Sequence, residues 1–118
     1  MCDSETVGDI NQQGPGSVLL SNGCVAGNIT ELDEGSVILR SSARAGNISE
    51  TGDGDVLIQG ATTGNINETD AGDLFICAGA VVGNFIEAGG GECRFEDGAS
   101  IGTPSSNCTR VSTIAACQ

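Results

Sequence analysis

The sequence predicts an all-β chain, a single parallel β-solenoid (β-helix) of about five to six coils with 18–19 residues per coil. Three observations predict it. A motif of fixed spacing recurs along the chain, and the apolar residues fall in short β-branched runs broken by glycine. No stretch carries apolar residues at helical spacing for three turns.

The recurring order is seen in "AGNITELDEGSVILR", "AGNISETGDGDVLIQ" and "TGNINETDAGDLFIC". Its glycine falls at Gly8, Gly27, Gly46, Gly64 and Gly83, and more weakly at Gly102, in steps of 19, 19, 18, 19 and 19 residues. A second glycine follows eight places later, at Gly16, Gly35, Gly54, Gly72 and Gly91. The third column reads Ile10, Ile29, Ile48, Ile66, Phe85; the eleventh Val18, Val37, Val56, Leu74, Cys93; the thirteenth Leu20, Leu39, Ile58, Ile76, Phe95. Short β-branched runs between glycines read as strands. A unit this small cannot bury its apolar face alone. Stacked coils can, with each strand paired in parallel to its counterpart about 4.8 Å along the axis.

The repeats cover 8–102. Residues 1–7 and 103–118 depart from the pattern and are expected to cap the two ends of one domain, residues 1–118, because an open solenoid end invites further stacking. Phe85 and Phe95, large residues near the C-terminal end, are placed as a plug would need.

Six cysteines in 118 residues predict disulfide-stapled ends and a secreted, extracellular protein. The pairs expected are Cys2–Cys24, Cys77–Cys93 and Cys108–Cys117 among about 15 arrangements. Cys93 occupies an inward column and Cys77 an outward one, which weighs against that pair. The start "MCDSE" reads as an initiator Met before a mature chain, or as a lipoprotein beginning at Cys2.

Charge bounds the partners. Four basic against 16 acidic residues give −12, which argues against nucleic acid and against anionic membranes, since both are held by Lys and Arg. No apolar run approaches the length of a membrane helix. The chain has no His, its serines have no base beside them, and its carboxylates come as ladders rather than as a distinct pair. The expectation is a protein that is not an enzyme and holds no cofactor.

Runs such as "GCVAGNI", "GATTGNI" and "GAVVGNF", each followed by a short apolar strand, resemble bacterial polymer-forming solenoids of the bactofilin type over residues 8–102. The resemblance implies a right-handed, enzyme-free scaffold that assembles end to end.

The columns between the inward ones supply the candidate sites. Columns two and four read Asn28/Thr30, Asn47/Ser49 and Asn65/Asn67 in the central coils, flanked by Asp9/Asn11 and Asn84/Ile86. This double rank of small polar groups resembles one flat side of ice-binding solenoids, implying an ice-binding or antifreeze face. The alternative is structural, with Asn side chains forming hydrogen-bonded ladders at solenoid corners. Asn28-Ile-Thr, Asn47-Ile-Ser, Asn67-Glu-Thr and Asn107-Cys-Thr also match the glycosylation sequon, the first two as by-products of the repeat.

Column five, Glu31, Glu50, Glu68 and Glu87, reads as a solvated acidic ridge. Neighbouring charges there would repel by about 0.9 kcal/mol in water, and the ridge could hold calcium or meet a mineral surface. Column twelve, Leu19, Ile38, Leu57 and Phe75, reads as an apolar stripe that either mediates a homodimer or is partly covered by the chain itself. Together these columns predict a structural or binding scaffold whose repeated outer ranks form a flat recognition or self-association surface.

Overall fold

The computed structural model describes residues 5–13, 16–32, 34–69, 72–104 and 107–117, and residues 2–3 by their backbone. The strands run β1 (Cys2–Asp3), β2 (Ile10–Gln12), β3 (Val18–Ser21), β4 (Ile29–Glu31), β5 (Val37–Arg40), β6 (Ile48–Glu50) and β7 (Val56–Gln59). They continue as β8 (Ile66–Glu68), β9 (Leu74–Ile76), β10 (Val81–Val82), β11 (Phe85–Glu87), β12 (Cys93–Glu96), β13 (Ser100–Ile101) and β14 (Thr109–Val111). A 3-10 turn at Ala115–Cys117 is the one helical element among the described residues.

All pairings between strands are parallel, and each joins a strand to its counterpart one coil away. The chain is a β-solenoid of about five turns with three sides. One side is the seven-stranded sheet β1-β3-β5-β7-β9-β12-β14, a second is the five-stranded sheet β11-β8-β6-β4-β2. The third is narrow, formed by β10 and β13 and by single bridges that link Thr6, Val25, Arg44, Thr62 and Val81 in succession.

The register is the repeat itself: Ile29 pairs with Ile48 and Ile48 with Ile66, while Val37 pairs with Val56 and Val56 with Leu74. Like therefore sits on like, and the interior fills by columns. Ile29, Ile48, Ile66 and Phe85 come from one side, and Val37, Leu39, Val56, Ile58, Leu74 and Ile76 from another. Cys24, Ala43, Ala61 and Ala80 come from the narrow third. The alanines on that side keep the narrow interior from being overfilled.

The glycines of the motif follow from coil-to-coil approach. A Cβ on Gly54 would fall on the carbonyl oxygen of Gly35, and one on Gly46 would lie 2.6 Å from Asn28 Oδ1. Both positions stand where one coil's backbone runs against the next, so only hydrogen fits.

The C-terminal end is closed. Phe85 and Phe95 meet edge to face with centroids 5.7 Å apart, and the Arg110 guanidinium lies 5.0 Å over the Phe95 ring. Beyond β14 the chain folds back along the outside of the seven-stranded sheet. Glu96 accepts the Ile114 N–H at 2.7 Å, the Gln59 side chain donates to the Cys117 carbonyl at 3.0 Å, and Cys117 is bridged to Cys77. Glu96, Cys77 and Gln59 occupy one outward column of three successive coils, so the tail retraces the axis.

The second bridge is Cys93–Cys108. Both differ from the expected Cys77–Cys93 and Cys108–Cys117. Cys93 points inward and Cys77 outward, so they cannot meet, whereas the returning tail brings Cys117 to the outer face. Cys24 is also disulfide-bonded; its expected partner, the Cys2 side chain, lies outside the described residues. These bridges place the folded chain in an oxidising environment. Among the described residues no helix is long and apolar enough to cross a membrane.

Candidate functional site

Each candidate column traces back to strand alternation. In β4, β6, β8 and β11 the first and third residues are buried and the second faces out. Thr30, Ser49, Asn67 and Ile86 therefore form a straight outer rank, with Thr30 paired to Ser49 and Ser49 to Asn67.

Asn28, Asn47 and Asn65 lie beside that rank at a corner, and their side chains are already engaged. Each Oδ1 accepts the backbone N–H of the next coil's equivalent residue: Asn47 N–H to Asn28 and Asn65 N–H to Asn47, both at 2.9 Å, and Asn84 N–H to Asn65 at 3.0 Å. Asp9 begins the ladder on Asn28 and Asn84 ends it on Thr103. The structural alternative thus holds for these oxygens, although the three residues remain exposed at the face's edge.

A third rank, missed in the sequence reading, completes the face. Leu32, Thr51, Thr69 and Ala88 follow the buried third residue of each strand, and their N–H groups continue the coil-to-coil bonding. The signal was available in the period of two. From Asn28 to Ala88 the three ranks carry no charge at all. Asp9 heads the first rank one coil earlier, and the other described acids lie in the interior, under the tail or on other edges of the solenoid. Asp55 and Asp73 at the neighbouring corner accept the N–H groups of Asp73 and Glu92, each at 2.8 Å. Asp33 and Asp70 lie outside the described residues.

Column five is the main correction. Glu31, Glu50 and Glu68 have no exposed surface, and Glu87 is 2% exposed. Being two residues after a buried Ile or Phe on the same strand, they share its inward side. They are not a solvated ridge, and a flat mineral surface has no access to them. Glu50 Oε2 accepts the Gly52 N–H at 3.1 Å, which secures the corner loop from inside. Burial pushes the Glu50 carboxyl up to about 7. A hydrogen bond from Glu68 pulls it down, one to Glu31 pushes it up, the Gly52 N–H pulls it down, and the Glu31 charge adds a smaller upward push.

The apolar stripe Leu19, Ile38, Leu57 and Phe75 does face outward between two buried columns, but each member is half-buried. Arg94, exposed and paired to Glu92 at 2.8 Å, ends it. The Asn107 sequon is spent internally, since its Nδ2 donates to the Glu87 carbonyl at 2.8 Å and to Glu87 Oε1 at 3.0 Å. Among the described residues one acid–cysteine group has metal-ligand spacing, Cys77, Glu96 and Cys117, and its two sulfurs are joined as a disulfide.

No family model, curated protein or solved structure matches the chain.

Proposed function

We propose that this chain is a non-enzymatic, extracellular binding scaffold, and that it meets an extended, regular partner through the outer face of β4, β6, β8 and β11. The observation that supports this most is the uncharged face itself. Three in-register ranks, led by Thr30, Ser49 and Asn67, run along a molecule that otherwise carries −12. Equivalent side chains recur about every 4.8 Å, so a partner with its own repeat gains a contact on every coil at once.

Ice is the second reading. Small hydroxyl and amide groups in fixed ranks order water regularly, and the absence of charge from these ranks favours it. A mineral surface would have to use the same ranks, because the glutamate column is internal. The half-buried stripe offers a smaller apolar surface for a homodimer. End-to-end assembly of the bactofilin kind has less in its favour, since Arg110 and Asn107 lie over the last coil.

Adsorption to growing ice and to calcite tests the proposal. The parent chain should adsorb to one of them, and Thr30→Tyr/Ser49→Tyr should lose that adsorption at an unchanged melting temperature. A parent that adsorbs to neither and sediments as a monomer contradicts the proposal. Leu57→Lys separates the dimer version: a parent dimer that this change dissolves assigns the interface to the stripe.

A further inference from the structure

The interior glutamate column has no role in an outer-face reading. Four carboxyl groups, Glu31, Glu50, Glu68 and Glu87, stack in register, with Glu31 paired to Glu50, Glu50 to Glu68 and Glu68 to Glu87. They lie on the inner side of a solenoid whose other columns are apolar apart from Thr63. Gln12 continues the column at one end, and Asn107 donates to Glu87 at the other. The corner loops carry further acids, Glu34, Asp53, Asp55, Asp73 and Glu92. None of the chain's four basic side chains lies in the column: Arg40, Arg44, Arg94 and Arg110 are all exposed. Their ion pairs are to Glu92 and Asp97. Carboxyl groups stacked at strand spacing in an apolar interior lose hydration and repel one another when charged, and a proton shared between neighbours relieves both.

We propose that the column is a proton-held latch: Glu50 shares a proton with Glu31 and Glu68 in the folded chain, so acid tightens the coils and rising pH loosens them. The folded chain holds this proton to a higher pH than the unfolded chain does, Glu50 moving from 4.5 to about 7. Stability is therefore full below about pH 4.5 and is lost as pH rises through about 7.

Thermal melting across pH tests this. The parent chain should lose roughly 10 °C in Tm between about pH 4.5 and 7.5. The loss should persist in about 0.5 M salt, which screens repulsion among surface acids but not the interior column. Glu50→Gln, which keeps the shape and a hydrogen-bonding amide, should flatten the profile, while the surface control Glu34→Gln should leave it unchanged. A parent Tm that is level or rises over this range, or a fall removed by salt, overturns the proposal. Millimolar calcium that restores the Tm at neutral pH also overturns it, because the column would then hold a cation. If Glu50→Gln fails to fold, infrared spectra of the parent decide. A carbonyl band of protonated carboxyl persisting at about pH 6, where exposed carboxylates are ionised, supports the latch, and its absence refutes it.

Discussion

At the scale of single residues, the solenoid is a set of ladders, and each ladder asks one thing of its side chain. The Asn28–Asn84 ladder needs an acceptor oxygen, and Asp9 already supplies one in the first coil. Asn47→Asp should therefore be tolerated, whereas Asn47→Ala should lose about 1 kcal/mol by removing the acceptor for Asn65 N–H. Chemical denaturation of the two variants checks the order. The glycines ask for empty space. On Gly54 a Cβ meets rigid backbone, the Gly35 carbonyl and the Ser36 nitrogen at 3.0 Å, while on Gly46 it first meets the end of the Asn28 side chain. Gly54→Ala should cost roughly 3 kcal/mol or more, and Gly46→Ala less, about the hydrogen bond that Asn28 gives up. Equal losses in the two variants would contradict this reading.

At the scale of elements, the strands were legible and the tail was not. The repeat of 18–19 residues located the apolar columns and the parallel register, because one lap of the chain imposes one environment on each position. The same period misled at column five. Charge suggests exposure there, yet a glutamate two residues after Ile29 or Ile48 must share that residue's side of the strand. Alternation outweighs the usual preference of a carboxylate for water here, because neighbouring carboxyls and loop N–H groups receive it. The disulfides were illegible for a different reason. Cys117 belongs to a segment outside the repeat, and nothing in its composition says that it runs back over β9. The Cys77–Cys117 bridge closes a 40-residue separation and holds that segment down. Replacing both cysteines by Ala should cost about 2–4 kcal/mol, with early hydrogen exchange at the Ile114 amide, which Glu96 otherwise binds. An Ile114 amide as protected as before would show that Glu96 and packing alone hold the tail.

At the scale of the whole molecule, function rests on how charge is distributed. Sixteen acids make the chain strongly negative, yet among the described residues Glu31, Glu50, Glu68, Glu87 and Glu96 are buried, and the ranks from Asn28 to Ala88 are neutral. The position of that face was readable from columns two and four, but its third rank and its corner ladder emerged from the fold. The face, the latch and the stripe all depend on one claim, that equivalent positions of successive coils lie directly over one another. Methyl-to-methyl nuclear Overhauser contacts among selectively labelled isoleucines measure it most directly. The account predicts strong contacts from Ile48 to both Ile29 and Ile66, one coil away on either side, and far weaker ones between Ile29 and Ile66. Ile48 without contact to either neighbour would contradict it.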